Sequence, residues 1–328
     1  MKKDEIIKFC NSLGLDTLGF IKCREFTELK DFFYERKEKG LENEFEEKDV
    51  LKRINPFNYM EEGKTIISIA FPYLHDVNYF DNGFSVYTRG TDYHRVVKSY
   101  LSKICEFIEG IGGKALAFVD SNFLPERHIA YLGGIGFIGK NNLIITKKYG
   151  SYVFLGEIIT DLEIETNERN YKEIQDFKEC GNCELCYKAC PSKAINPYKK
   201  NSNICVSYLT QKKDLDGKHI KLLKGRVFGC DSCQSSCPYN EKIEFSKIEE
   251  FYPYDFMNKE NSIQLINSST KEFKDSFFKT SCGWRGKNVL KRNALIKINN
   301  DKGDISVVKT DSPYLKDYVD RLLNSNKI

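Results

Sequence analysis

Seven of the twelve cysteines in this chain of 328 residues stand in two short runs. The first is Cys180, Cys183, Cys186 and Cys190, followed by Pro191, in the pattern CxxCxxCxxxCP. The second is Cys230, Cys233 and Cys237, followed by Pro238, in the pattern CxxCxxxCP. Thiolates at this spacing hold 4Fe–4S clusters, and in the bacterial two-cluster pattern the cysteine before proline ligates the other cluster. Cys180, Cys183 and Cys186 then share one cluster with Cys237. Cys190, Cys230 and Cys233 share the second, which lacks a thiolate, and Cys205 is the one cysteine between the runs. It is the natural eighth ligand. Two clusters mean single-electron transfer, so some other part of the chain must receive the electrons.

A zinc ribbon would use two separated CxxC pairs around closed four-ligand sites, which three close cysteines and a fourth before proline do not supply. Apolar content of 41%, aromatic content of 13% and charged content of 30% describe a folded, water-soluble protein. No apolar run is long enough to span a bilayer. The N-terminus, MKKDEIIKFCNSLGL, has acidic residues and no apolar leader, and reads as an amphipathic first helix. The expected compartment is the reducing cytoplasm, where thiols bind metal rather than pair. Cys10 and Cys105 lie on apolar helix faces as small core residues.

Residues 1 to about 160 alternate helix and strand signals. Ile6, Ile7, Cys10 and Leu13 share a helical face; 17–23, 65–73, 114–120, 141–146 and 151–160 read as strands; Val96, Val97, Tyr100, Leu101, Ile104 and Ile108 form a long helical stripe. The order fits an α/β or α+β domain. A polar, acidic stretch (162–179) reads as a linker, the cysteine module spans about 178–242, and the chain then turns helical, most clearly at 289–298. That last segment alternates apolar and basic residues as one unit of a helical repeat does, without a second clear copy.

The segment Gly134-Ile-Gly136-Phe-Ile-Gly139-Lys140-Asn141 matches both GxGxxG and GxxxxGK. A dinucleotide site needs a strand just before the glycines, and 125–132 reads as helix; a P-loop needs Ser or Thr after the lysine, and Asn141 stands there. A glycine-rich turn bringing backbone close to a large ligand fits better. Asp120 closes a strand ahead of a turn and helix. A carboxylate there is either an acid whose pKa rises beside an apolar ligand or a cap for the following helix. The net charge of +4 is uneven: Lys193 to Arg226 holds nine Lys/Arg against Asp214 and Asp216, and Ser281 to Asn300 holds Arg285, Lys287, Lys291, Arg292 and Lys297 with no acid. Each stretch is a solvated face or a contact for a polyanion such as RNA.

Six ordered motifs, YTRGTDYH (87–94), VDSNFLPER (119–127), GIGFIGKNNLII (134–145), CGNCELCYKACPSKAI (180–195), CVSYLT (205–210) and GCDSCQSSCPYN (229–240), closely resemble the epoxyqueuosine reductase family. The resemblance covers about residues 60 to 300. It implies a cobalamin-binding α/β domain (1–165), a ferredoxin-like double 4Fe–4S domain (166–243) and a short HEAT-like helical segment that helps hold tRNA (244–328). The implied reaction removes the epoxide oxygen of epoxyqueuosine at the tRNA anticodon wobble position, giving queuosine. Electrons pass from a cellular donor through two clusters to base-off cobalamin, and Asp120 is the proton donor. The resemblance makes Ser207, Cys230, Asp231, Lys140 and Asn141 candidates for the cobalamin edge, together with Asp120. His94 and Arg127 are further candidates for that edge, or else structural residues holding a loop. Arg285, Lys287, Lys291 and Arg292 are the expected phosphate contacts, and Trp284 packs in the helical core or stacks near RNA. The expected state is a monomer. Gln211, where the family commonly has glutamate, and Ser281-Cys282-Gly283-Trp284 in place of a Ser-Pro start depart from the pattern in the RNA-facing part.

Two other readings share part of this chemistry. A cobalamin-dependent reductive dehalogenase has the same cofactors but normally an export signal. A plain ferredoxin-like carrier leaves the large N-terminal domain and Asp120 without a task.

Overall fold

The structure, a computed structural model, describes residues 2–120, 122–198 and 200–325; Ser121 and Lys199, which fall in two of the stretches named above, lie outside them. The first half of the chain runs α1 (Lys2–Ser12), β1 (Leu18–Lys22), α2 (Lys30–Glu38), α3 (Val50–Ile54), β2 (Thr65–Pro72), α4 (Tyr93–Gly110), β3 (Ala115–Phe118), α5 (Glu126–Leu132), β4 (Phe137–Ile138), β5 (Ile144–Ile145) and β6 (Val153–Thr160). Side-chain caps start two of the helices: Asp49 accepts from the N–H groups of Leu51 and Lys52 at α3, and Asp92 from that of His94 at α4.

Four strands form one sheet in the order β1-β2-β6-β3, and every neighbouring pair is antiparallel. Of the two expected classes, antiparallel pairing selects α+β. Every residue of β2 is buried because helices cover both faces of the sheet. Alternation along the strand divides its side chains between two cores. Ile67, Ile69 and Phe71 pack with Ile6 and Cys10 of α1 and with Leu101 and Ile104 of α4. Ile66 and Ala70 pack with Phe33, Val50, Ile54 and Ile129 from α2, α3 and α5. The stretch 162–179 is less free than a linker: Leu162 and Ile164 are buried, and Glu168 accepts from the Lys22 N–H at 2.7 Å.

The second half runs α6 (Leu185–Ala189), α7 (Val206–Leu209), α8 (Gly217–Leu223), α9 (Ser232–Ser235), α10 (Ser262–Asn267), α11 (Thr270–Asp275), α12 (Lys287–Asn300) and α13 (Pro313–Ser325). One core joins Tyr208, Leu209, Leu223 and Phe228 from the cysteine region to Leu290, Leu295 and Tyr318 from the C-terminal helices. α12 packs against α10 and α13, and all residues from Val289 to Lys297 are buried. The alternating basic positions of this helix therefore do not form an open face. No helix among the described residues is long and apolar enough to cross a membrane.

The end of α5 approaches β1 so closely that a Cβ on Gly19 would stand 2.1 Å from the Gly133 carbonyl oxygen. Backbone on both sides leaves no flexible atom to yield. Gly19→Ala is expected to lower stability by about 1–3 kcal/mol, as overpacking does, read from the midpoint of urea denaturation at unchanged slope. An unchanged midpoint contradicts this packing.

Candidate active site

The cysteine loops contain little regular structure, so their thiols are placed by short helices and by polar contacts to the backbone. Cys180, Cys183, Cys186 and Cys237 line one cavity of about 80 Å³. α6, which carries Cys186, packs on α9, which carries Cys233. The Cys233 thiol is raised by burial first, and then by the neighbouring thiols of Cys230, Cys205 and Cys190. Burial raises Cys205 as well, against N–H groups of Ser207 and Tyr208 that favour its thiolate. At Cys190 the balance reverses: burial opposes ionisation, but N–H groups of Ile195, Ser192 and Ala194 and the Ser192 hydroxyl bring the net shift downward. Such N–H donors stabilise the anionic sulfur a cluster needs. No group of three or more His, Cys, Asp or Glu among the described residues is gathered closely enough to hold a single metal ion.

The glycine-rich segment is the hairpin β4–β5, not a nucleotide loop. Gly136 is required by the hairpin itself, since a Cβ there would lie 2.3 Å from the Ile145 carbonyl oxygen. The hairpin also separates two cavities. Lys140, Asn141 and Ile145 face the first cysteine cavity, while Leu143 and Ile144 face a larger cleft. Lys140 is turned wholly to the cysteine side: its N–H approaches Cys180 Sγ at 3.5 Å, and its Nζ donates to the carbonyls of Gly181 at 2.7 Å and Cys183 at 3.1 Å. Asn141 is buried and donates to the Cys233 carbonyl at 3.5 Å.

The cleft has a volume of about 250 Å³. Tyr87, Tyr93, Leu143, Ile144, Val153, Phe154 and Leu155 make most of its wall, with Asp120, Glu126, Arg127 and Ser151 supplying the polar groups. Asp120 follows β3 with a left-handed backbone (φ 50°) that is costly for a residue with a side chain and common where a turn aims a functional group. Its Oδ2 accepts from Tyr93 Oη at 2.8 Å and faces His94 Nε2 at 3.0 Å. On the other side of the ring, His94 Nδ1 stands 2.8 Å from Asp92 Oδ1. Burial works against a charged His94, but hydrogen bonds to Asp120 and Asp92 outweigh it and raise its pKa to about 9. Burial likewise favours a neutral Asp120, and the donors His94 and Tyr93 outweigh that and lower its pKa. At neutral pH the group is an imidazolium between two carboxylates, with Asp120 open to the cleft. Arg127 donates to the Asn142 carbonyl at 3.1 Å and ties the hairpin to α5.

The cysteine loops pack behind two of the residues that line this cleft, Tyr87 and Ser151. Tyr87 is hydrogen-bonded to Ser207, two residues after Cys205. Asp231 is partly buried beside Cys230 and accepts from the Ser85 hydroxyl and, at 2.8 Å, from the Val86 N–H. Gln234 donates to the Ser151 carbonyl at 2.9 Å.

Two of the expected phosphate contacts are corrected. Arg292 is fully buried, and its guanidinium donates to the carbonyls of Lys212 at 2.8 Å and Lys213 at 2.7 Å and to Tyr314 Oη at 2.9 Å. Lys291 is buried and donates to the Ser268 carbonyl at 2.7 Å. Neither ammonium nor guanidinium is left to meet a phosphate. Lys287 Nζ reaches Thr270 Oγ1 at 2.6 Å, and Arg285 Nε the Gln211 carbonyl at 2.6 Å, but both remain partly exposed. Trp284 is half-exposed and stacks edge-on with Phe45 under the Arg285 guanidinium.

The sequence reading missed Tyr87, Tyr93, Glu126 and Glu157. Glu157 had a visible signal: it is an acid in the middle of the apolar run VFLGEIIT.

A family model described as "4Fe-4S double cluster binding domain" matches residues 179–240, and one described as "Epoxyqueuosine reductase QueG, DUF1730" matches residues 53–121. An epoxyqueuosine reductase of Lactococcus garvieae is 35% identical over 309 residues, covering 91% of this chain and 86% of that protein. A solved epoxyqueuosine reductase with an epoxyqueuosine-modified tRNA-Tyr stem loop superposes with a TM-score of 0.88 at 32% identity, covering 98% of this chain and 89% of the other. The Bacillus subtilis enzyme, captured with its catalytic aspartate loop swung out of the active site, superposes at 0.87 with 31% identity over the same shares. This chain belongs to the epoxyqueuosine reductase family of oxidoreductases and carries that family's double 4Fe–4S binding domain.

Proposed function

We propose that this protein reduces epoxyqueuosine in the anticodon of tRNA to queuosine, with Asp120 delivering a proton to the epoxide oxygen. The observation that carries this reading is the position of Asp120. It stands on a strained turn in an apolar cleft, and loops bearing the cysteines pack against the cleft's lining residues Tyr87 and Ser151. The relative solved with a modified tRNA stem loop supports tRNA as substrate.

The donor sets suit the proposed cofactors. Cys180, Cys183, Cys186 and Cys237 border one cavity, and Cys233 has Cys230, Cys205 and Cys190 as electrostatic neighbours with Cys186 after them, which supports the crossover division into two fours. The cleft's aromatic and aliphatic walls suit the flat, largely apolar faces of a corrin. Tyr87, Leu143, Ile144 and Phe154 would carry them beside Arg127, with Ser207, Cys230 and Asp231 joining from the cysteine loops and His94 from behind Asp120. Lys140 and Asn141 act through the hairpin, since their polar atoms are occupied by the cysteine loops. When bound, the clusters supply one-electron transfer and cobalamin a low-potential cobalt centre.

The residues of the chain supply the acid. An alkoxide is a poor leaving group, so opening of the epoxide requires a proton on its oxygen. Asp120 alone is held ionised, but His94 holds a proton 3.0 Å from its carboxylate. Asp120 therefore passes to substrate a proton that His94 stores, and Tyr93 fixes the carboxylate that moves it. Arg285 and Lys287 are the cations of α12 and its approach that remain available to tRNA phosphates.

Asp120→Asn is expected to keep both clusters and bound cobalamin by absorption spectroscopy and to lose about 100-fold or more of its turnover. Activity near wild type would mean that the proton comes from elsewhere. Cys205→Ala is expected to reduce iron from about eight to about four per chain while Cys180, Cys183, Cys186 and Cys237 keep their cluster. A full iron content in that variant contradicts the ligand division.

A further inference from the structure

Glu157 lies in the middle of β6, opposite Ser68 of β2 and Phe118 of β3, and is wholly buried. Its Oε1 accepts from the Ser68 hydroxyl at 3.2 Å. Its Oε2 is buried with no donor aimed at it. The group within hydrogen-bonding reach is another carboxyl, that of Glu126 at the first turn of α5. Glu126 in turn lines the active-site cleft, where its Oε1 accepts from the Asp120 N–H at 3.0 Å and from Asn122 Nδ2 at 2.8 Å.

Two facing carboxylates in a buried site cannot both ionise. Burying even one unpaired charge is costly, and among the described residues no cation reaches Glu157 to offset it. A hydrogen bond between the two carboxyls exists only if one of them carries a proton. That proton also satisfies the orphaned Oε2. The neighbours facing Glu126 are Asp120 on the turn, Arg127 on α5 and Tyr93 on α4, with His94 beyond Asp120; Ser68 faces Glu157 from β2. Arg127 favours an ionised Glu126 and Asp120 a protonated one, while Glu126 favours a protonated Glu157.

The proposed reaction consumes more protons than Asp120 and His94 hold. Breaking the first C–O bond of an epoxide and protonating oxygen leaves a hydroxyl. Breaking the second C–O bond releases that oxygen, which needs a second proton to leave as water. The two electrons come from the donor that feeds the iron–sulfur relay, and the two carbons become the alkene. We propose that Glu126 and Glu157 share one proton that stays behind Asp120, and that Glu126 binds a further one and releases it into the cleft as the second proton of the reaction. The catalytic half of this inference rests on the epoxide-reducing reading above; the shared proton does not.

The shared proton is tested in the reconstituted holoenzyme by infrared spectroscopy of the protonated-carboxyl stretch. Wild type is expected to show that band at neutral pH and to lose it as pH rises. Glu157→Gln is expected to remove it above neutral pH, Glu126→Gln to shift its frequency because the buried Glu157 keeps its proton, and Asp120→Asn to leave it. A band that survives Glu157→Gln, or that Glu126→Gln leaves unshifted, or none in wild type, overturns the shared proton. If Glu157→Gln does not fold, Glu126→Gln at the cleft edge carries the test. The catalytic half is tested by single turnovers on tRNA carrying epoxyqueuosine. Burial and the neighbouring Asp120 raise Glu126 to about 7, so the wild-type rate falls as pH rises through that value. Glu126→Gln is expected to lose that limb and about 100-fold in rate. Unchanged rates and pH profiles in both variants overturn the role in catalysis. A wild-type enzyme with full cofactors that forms no queuosine overturns the reading beneath it, while the infrared result still decides the shared proton.

Discussion

Loops without regular structure can hold thiols at fixed separations only if their own backbone groups have fixed partners. Here a few buried polar side chains provide them. Asn293 donates to the carbonyls of Thr210 and Val227, each at 2.7 Å, and so ties the segment after Cys205 to the segment before Cys230. Arg292 holds the next carbonyls, those of Lys212 and Lys213, and Thr210 Oγ1 accepts from the Gly229 N–H at 3.0 Å. Each buried carbonyl left unpaired would cost on the order of 1–3 kcal/mol. This is why two polar residues sit in the middle of a buried helix: α12 acts as a brace for the cysteine loops. Lys140 has the same function at the first run, from the hairpin side.

The same economy of elements joins relay to acid. The 137–145 hairpin is a wall with a cysteine cavity on one side and the cleft on the other. Tyr87 lines the cleft and is bonded to Ser207 next to the cysteine loops. Asp120, His94 and Tyr93 then converge from a turn and a helix end at the cleft surface. The sheet contributes the most buried member, since β6 carries Glu157 to a point beneath α5. The cysteine loops and the Asp120–His94 pair thus approach one cleft from different elements.

Much of this was legible in the sequence because its signals are periodic or local. The strands and α4 follow from alternation and a helical stripe, and the cysteine runs carry their own spacing. Asp120 at a strand end was legible as a position, though its two readings, acid or cap, could be told apart only by what faces it. The basic residues of 281–300 misled for a physical reason: net charge reports composition, not exposure, and Arg292 and Lys291 are consumed by backbone carbonyls distant in sequence. The Glu126–Glu157 contact was invisible because its partners are brought together by sheet register, which no short motif encodes. Glycine spacing pointed to a turn near a ligand, and the hairpin explains the glycines by close backbone approach to Ile145.

The central claim is that the cysteine loops and the Asp120 cleft form one device for reducing an epoxide on tRNA. It is tested most directly by loading the full chain anaerobically with iron, sulfide and cobalamin, adding a low-potential reductant and tRNA that carries epoxyqueuosine, and analysing the nucleosides after digestion. The account predicts queuosine in amounts exceeding the enzyme, and none when cobalamin is omitted. Unchanged epoxyqueuosine from a protein with both clusters and cobalamin in place would contradict it.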